Sequence, residues 1–540
     1  MAELGKGTTI KRIIGMITDG GIILVSYILI LVVALSFYAP TGYYMLGEHK
    51  ALCFLTVSAV FFVLLLPAVI SHIVSYIKSK KGHGIPVYDL SLFIALTAMT
   101  LSLMLSSDRL MSLWGIDGWR MGYVTYIFVF YAYMACRLIR IRKYLSLIAS
   151  FSEIISALVF TLGILNRMGI YPFASMISTD TSFLSTIGNI NWYSAYIAVF
   201  LSVGICDIAF FIPSGKELKG VSHILRTITA WACILTGFFT LISMGGTVST
   251  VIVFVTFMTL VSALFMQHIK SDTFTRLCSA FLLILELYGL ILSKPASTYT
   301  YSTDAVWLKP ALSHAGLIAC VILLIVYVLS KRIDRNKSYR IPALGIWLMI
   351  PLAAIVWLTI VFMYAYPVIL DDTFANSRGL IYRISGLYLR QLSPVHILFG
   401  IGPDSYFVYA INHKVLSSLL YNTFGDIRLT NAHCLPLSSL INNGIIYTIC
   451  MTAFFVMVLT VFVKTVFFAK RNGSVSESVI KSTYMDTKRT AFAYAGLLII
   501  SSVLFVQFFT FATITATPYL YIAVGICLSE NLINRGNYTE

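Results

Sequence analysis

Charged side chains are scarce in this chain. Asp, Glu, Lys and Arg make up 11% of its 540 residues, while 59% are hydrophobic; a soluble globular protein carries about 25% charged residues. That shortage excludes a soluble globule. Acidic residues are the scarcer sign, 22 against 38 Lys and Arg, for a net charge of +16. In a soluble protein such a balance points to nucleic acid. In a chain with a mean hydropathy of +0.88 it is instead what cytoplasmic loops of membrane proteins produce by collecting Lys and Arg, and no nucleic-acid partner is expected. Paired cysteines are also lacking: the nine Cys are scattered, mostly inside apolar runs, with no CxxC. Neither a disulfide framework nor a zinc site is indicated. The N-terminus, MAELGKGTTIKR, leads into an apolar run with no small-residue cleavage site after it, so that run reads as an anchor rather than a removed signal peptide.

What the chain has in abundance is hydrocarbon. Backbone amides inside a bilayer must bond within their own segment, so apolar runs of about 20 residues are expected transmembrane helices. About fourteen are present, near 20–39, 51–77, 88–106, 122–139, 144–166, 191–212, 225–243, 248–267, 274–293, 310–330, 342–364, 435–463, 491–512 and 516–530. The expected fold is all-α, a polytopic transmembrane bundle of about 12–14 spans with one long extracytoplasmic loop carrying short helices. Residues 1–364 form a bundle of about eleven spans, 365–434 the loop, and 435–540 about three further spans. With both termini cytoplasmic, the segments 1–19, 78–87, 140–143, 213–224, 268–273, 331–341 and 464–490, with their flanks, hold most of the 38 Lys and Arg. Asymmetry of that kind sets topology, and it puts 365–434 outside, where there is neither ATP nor nucleotide-sugar.

Shorter outer segments carry signal as well. SSDRLMSLWGIDGWRMGY (106–123) sets Trp114 and Trp119, suited to an interfacial belt, beside Arg109 and Arg120. LSTIGNINWYSAY (184–196) places Asn189 and Asn191 just before a span. SMGGTVST (243–250) is a small-residue turn whose glycines allow close helix approach. Three acidic residues fall within spans: Glu153 and Asp207, close enough to a membrane face to snorkel, and Glu286 nearer the middle. Such groups are either functional or bundle-facing and hydrogen-bonded.

The loop is where polar chemistry gathers. It begins DDTFANSRGLIYRISGLYLRQLSPVHILFGIGPDSYF from Asp371 and ends in TNAHCLPLSSLINNGIIY at the start of a span. Asn376 or Ser377 can cap a helix running to about Gln391, stopped by Pro394. Arg383, Leu387 and Arg390 then share one face, with Arg378 turned about 140° from Arg383. Such arginines are headgroup contacts or a phosphate clamp, since guanidinium grips phosphate oxygens through paired N–H donors without a metal. Gly400, Gly402 and Pro403 make a rigid turn that presents Asp404. Pro436 suits the first turn of a helix, which sets Asn431 and His433 just ahead of its N-terminus. There the helix dipole keeps an imidazole neutral and favours a nearby pyrophosphate. The acidic residues Asp371, Asp372, Asp404 and Asp426 lack the close spacing of a metal site, and no metal or cofactor is expected.

These residues resemble the O-antigen ligase/polymerase family of bacterial membrane enzymes. The family's signature is a His, then Asn, Ser or Gln, nine residues, Gly, two residues, and Gly, Thr or Tyr; His433, Gly444 and Tyr447 fit it, and Cys434 departs at the second place. Arg383 to Leu387 matches the family's outer-loop Arg-x-x-x-Leu, and Gly400 to Asp404 its Gly-x-Gly-Pro-Asp turn. GNINWYSAY and WGIDGWRMGY are similar to two upstream family segments. SMGG lacks the Arg that many members carry at that turn, which leaves Arg378 or Arg390 to supply a second phosphate grip. About fourteen spans also exceed the dozen or so usual there.

The resemblance implies metal-independent, inverting glycosyl transfer on the outer face of the bacterial cytoplasmic membrane. The donor would be a glycan on polyprenyl pyrophosphate, and the acceptor a sugar hydroxyl on a glycan or a lipid core. His433 would be the base and Arg383 the counter-charge to the leaving pyrophosphate. Arg378, Arg390, Asp404, Asn431, Asn189, Asn191 and Arg120 are the candidate substrate contacts. The alternative is a lipid-linked oligosaccharide flippase, which would show repeat symmetry and broken helices near the midplane; no internal repeat is evident.

Overall fold

The computed structural model describes residues 21–37, 46–78, 85–118, 120–138, 144–173, 183–214, 221–293, 306–330, 339–366, 371–411, 417–418, 420–422, 429–468 and 477–533. The segment before the first apolar run, Trp119, Asp426 and much of the basic connecting segments lie outside the described residues. The fold is all-α, and every expected apolar run falls on a helix. In chain order these are Gly21–Val33, Leu46–Lys78, Val87–Leu105, Tyr123–Leu138, Leu145–Arg167, Ile190–Cys206, Val221–Met244, Thr247–Phe265, Ser271–Leu292, Ala315–Ser330, Arg340–Ala365, Leu435–Phe467, Glu477–Gln507 and Thr517–Ile533. Among the described residues, ten helices are long and apolar enough to cross a membrane, and four apolar helices are shorter. The chain is a multi-pass membrane protein. Tyr123–Leu138, with 16 residues, rises only about 24 Å against a hydrocarbon thickness of about 30 Å.

Two helices form the centre. An 18-residue stretch of Ile190–Phe211 and one of Lys488–Gln507 are each 89% buried, against 17% for one of Arg340–Ala365. Aromatic contacts lock the centre: Phe210 stacks on Tyr494 with ring centroids 4.7 Å apart, and Phe200 meets Tyr519 of Thr517–Ile533 at 4.9 Å. A separate, smaller core of Tyr364, Leu380, Tyr382, Tyr388, Tyr406, Leu437 and Ile441 holds the loop helices Phe374–Gln391 and Tyr406–Ile411 against the ends of Arg340–Ala365 and Leu435–Phe467.

Ionisable groups inside the bundle have partners. Asp207 ion-pairs with Arg226, and Thr229 donates to Glu153 at 2.6 Å. Both carboxylates are buried inside the bundle, which is the structural reading the sequence favoured, although they face the bundle rather than snorkel. Arg226 is the cation beside both. Asp207 also opens a π-turn, Asp207–Phe211, a widening that recurs where a helix must accommodate a functional or polar group. Glu286 accepts the Leu317 N–H and the His314 ring, each at 2.9 Å. It therefore caps the N-terminus of Ala315–Ser330 and is not a free mid-membrane carboxyl. Lys50 is buried with its three ammonium donors on the carbonyls of Val33, Ala34 and Ser36 at 2.7–2.9 Å, closing the C-terminal end of the first helix.

Candidate functional site

The site is built around a break in the Leu435–Phe467 helix. Gly444 has φ 78° and ψ 176° in mid-helix, which only a residue without Cβ adopts freely. The break frees the carbonyls of Ile441 and Asn442, and the turn at Gly400–Gly402 takes them: Ile401 N–H donates to Ile441 at 3.2 Å and Gly402 N–H to Asn442 at 2.9 Å. The Ser102 hydroxyl adds a bond to the same Asn442 carbonyl at 2.7 Å. The fit is reciprocal. A Cβ at Gly444 would meet the Leu398 carbonyl oxygen at 2.4 Å, and one at Gly400 the Asn442 oxygen at 2.2 Å. Two glycines 44 positions apart thus lock the loop onto a span.

The turn is fixed on its other side by Asp404. Its Oδ2 accepts the Ile116 N–H at 2.8 Å, and the Met121 amide and the Arg120 charge lie close by. Burial still dominates and pushes this carboxyl up to about 7. Ser112 and Ser405 join hydroxyls across the same seam at 2.6 Å. Arg120 itself is committed: its Nε holds both oxygens of Glu48 at 2.8 Å and its Nη2 holds Asp117 at 2.7 Å. Asp404 and Arg120 therefore position the site's walls.

His433 stands two residues before the helix, with φ 47°, a left-handed conformation uncommon for a residue with a Cβ. Asn431 secures it: its Oδ1 accepts the His433 N–H at 2.9 Å and its Nδ2 donates to Thr430 at 2.9 Å. Ser438 accepts the Ala432 N–H at 3.0 Å. Cys434 occupies the N-cap position, and its thiol, pushed up to about 12 by burial, faces the Leu437 N–H. The His433 ring is lowered to about 4, first by burial and then by the charge of Arg378, so it is neutral at ordinary pH. Its Nδ1 is buried with no hydrogen-bond partner among the described residues. Five of the eight described non-glycine residues with positive φ (Arg120, Ala375, Ser377, Asp404 and His433) fall at this site, and backbone strain of this kind clusters where structure serves function.

The arginine helix runs Phe374–Gln391, from Thr373 rather than Asn376 or Ser377. Ala375 and Ser377 have left-handed backbones, which makes the first turn irregular. Arg383 ion-pairs with Asp372. Arg390 is exposed, over the Tyr366 ring at 5.2 Å. Arg378 donates to Ala375 O at 3.2 Å, has a buried Nε without a partner among the described residues, and acts electrostatically on His433. Asn189 caps Ile190–Cys206 by accepting the Asn191 N–H at 2.9 Å, an intrahelical task. At the 243–250 turn Gly245 has φ 65°, and nothing lies within 4 Å of a Cβ built on Gly246. Gly246 thus makes no close helix contact among the described residues, while the Gly245 carbonyl accepts the Val306 N–H at 2.8 Å.

Two cavities share walls here. A polar cleft of about 40 Å³ is lined by Asp404, Asn431, Ser438, Asn442, Asn443 and Phe511, among others. An apolar cavity of about 320 Å³ runs past Leu435, Pro436, Tyr447, Met451 and Phe455 to Trp347 and Phe505. Tyr126, Leu435, Ser439 and Ala512 belong to both. Phe511, whose ring meets His433 edge-on at 5.8 Å, and the Asn442–Asn443 pair are site residues that sequence reasoning missed. The Asn-Asn-Gly in an apolar run was a signal for the pair; nothing local marked Phe511.

No family model and no curated protein matches this chain.

Proposed function

We propose that the protein is a membrane glycosyltransferase of the O-antigen ligase/polymerase type. It moves a glycan from polyprenyl pyrophosphate to a sugar hydroxyl on the extracytoplasmic face of the bacterial cytoplasmic membrane. One observation carries this reading: a half-buried, neutral histidine stands at the head of the same helix whose next turns wall an apolar cavity. An amphiphile with a long hydrocarbon tail and a charged head fits that pairing, and a water-soluble sugar donor does not.

In the reaction, the acceptor oxygen attacks the anomeric carbon while His433 takes the hydroxyl proton. The bond from the anomeric carbon to the pyrophosphate oxygen breaks, and its electron pair leaves on that oxygen as polyprenyl pyrophosphate. Arginines of Phe374–Gln391 supply the counter-charge, so residues of this chain carry each step. The break at Gly444 could favour a transporter, in which unwound backbone lines the substrate path. Here the freed carbonyls are consumed by Ile401 and Gly402, which supports the enzyme.

The glycan of cells lacking the protein tests the proposal and divides its two forms. Single capped repeat units indicate a lost polymerase; long chains left on the carrier lipid indicate a lost ligase. A normal, fully assembled glycan would overturn the proposal.

A further inference from the structure

Two carboxyls share one cation at the end of the bundle away from the loop. Ile190–Cys206 starts on the loop's side: Gly188, just ahead of it, packs near Leu46, and Glu48 close by holds Arg120 at the site's wall. Its other end therefore carries Asp207 to the far side. There Val221–Met244 presents Arg226 and Thr229, three residues apart and on one face, to Asp207 and Glu153. The guanidinium fork is spent on Asp207, with Nε on Oδ2 at 2.7 Å and Nη2 on Oδ1. Glu153 is left with the Thr229 hydroxyl on Oε2 at 2.6 Å, a donor that also lies 3.0 Å from the Arg226 carbonyl. Glu153 Oε1 has no donor among the described residues, on a residue that is 0% exposed. Glu153 and Asp207 are themselves in hydrogen-bonding contact, and two carboxyl oxygens bond only when one carries hydrogen.

Charge leads to the same count. Asp207 and Arg226 cancel, so an ionised Glu153 would be a buried negative charge held by one shared, neutral donor. Two carboxylates in contact do not both ionise against a single cation. The thiols of Cys206 and Cys233 are the other titratable groups facing the pair, and neither brings positive charge. We infer that Glu153 and Asp207 form a proton-binding site, with one proton on Glu153 Oε1 donated to Asp207. The backbone is shaped for it, since Asp207 opens the π-turn Asp207–Phe211, the kind of widening that recurs at functional positions in helices. The proton joins Leu145–Arg167, Ile190–Cys206 and Val221–Met244 at one point. Its loss in alkali leaves two carboxylates against one guanidinium and pushes the first two helices apart. The site stands independently of the proposed glycosyl transfer and makes the centre of the bundle sensitive to pH on the side away from the loop.

Infrared spectra of the purified, full-length protein test this in mild alkali, where Asp404, pushed up to about 7, has largely lost its own proton. Wild type should show the C=O band of a protonated carboxyl, shifted in D2O, and Glu153→Gln should lack that band. Gln keeps the shape, accepts from Thr229 and donates to Asp207, so Glu153→Gln should melt at the wild-type temperature or above. The gap should widen as pH rises, because wild type must then give up a proton that the amide never loses. Glu153→Ala, which removes the bridge, should melt earlier than either. A wild-type spectrum without the protonated-carboxyl band would overturn the site, as would a Glu153→Gln protein that melts well below wild type at every pH. Sodium that stabilises wild type but not Glu153→Gln, at constant ionic strength, would overturn it as well by putting a metal cation in the proton's place.

Discussion

Charges meet opposite fates in two regions of this molecule. Within the bundle, Asp207 and Arg226 pair, Asp89 pairs with Arg137, and Lys50 closes on three carbonyls. At the loop, Arg378, Tyr382 and His433 each carry a polar atom that nothing among the described residues satisfies. The bundle's charges are tolerated because they are paired, whereas the Arg378 guanidinium donates to the Ala375 carbonyl alone among the described residues. On the proposed function, the difference separates residues that hold the fold from residues that meet the donor.

The comparison breaks if the two kinds of residue respond alike to truncation. His433→Ala should cut transfer on the order of 10²-fold or more, as expected for a general base, with the melting temperature unchanged. Arg226→Ala leaves Asp207 and Glu153 buried without their cation and should cost about 3–5 kcal/mol, read as early melting in detergent. Equal thermal losses in both variants would erase the distinction.

Acid sharpens it. His433 is lowered to about 4, so its neutral form persists and the transfer rate should stay level until pH falls through about 4. Removing the neighbouring charge with Arg378→Gln should move that acid limb upward, toward the ordinary histidine value of 6.5. The sign for stability follows: below pH 6.5 the unfolded ring takes a proton that the folded ring refuses, so this site loses stability as pH drops toward 4. Asp404 runs the other way. Its carboxyl, ordinarily near 3.8 and pushed up to about 7, keeps in the fold a proton that the unfolded chain releases. Its contribution is therefore full below 3.8 and falls as pH rises to about 7. Asp404→Asn should lack this slope, so the melting-temperature difference from wild type should grow between those values and level off above them.

The smallest effect concerns Cys434. A thiol is a weak acceptor at an N-cap, where serine is preferred. Cys434→Ser should raise stability by about 0.5 kcal/mol, measured by thermal melts, while leaving transfer intact. A loss of transfer would show that the thiol does more than cap.

The helices were legible in the sequence because a 20-residue apolar run in a bilayer has one stable form. The same rule could not place partners. Glu286 reads as mid-membrane until the turn at His314, with φ 53°, folds Ala315–Ser330 back over it. Arg383 matched a motif, but its commitment to Asp372 depends on how residues 371–374 fold back. The left-handed Ala375 and Ser377 carry no sequence mark at all. Gly444 was visible as part of a spacing; its reason, a break filled by a turn 44 residues earlier, needed the three-dimensional contact. His433 ahead of Pro436 was readable, because a helix start can be recognised locally.

Transfer itself is the most direct test. Purified protein in vesicles, given a polyprenyl-pyrophosphate-linked glycan and an acceptor glycan, should release polyprenyl pyrophosphate in step with the lengthened or linked product. It should do so in excess chelator, and not with His433→Ala. Movement of the intact lipid-linked glycan across the vesicle membrane, with the sugar–phosphate bond unbroken, would contradict the account and make the protein a transporter.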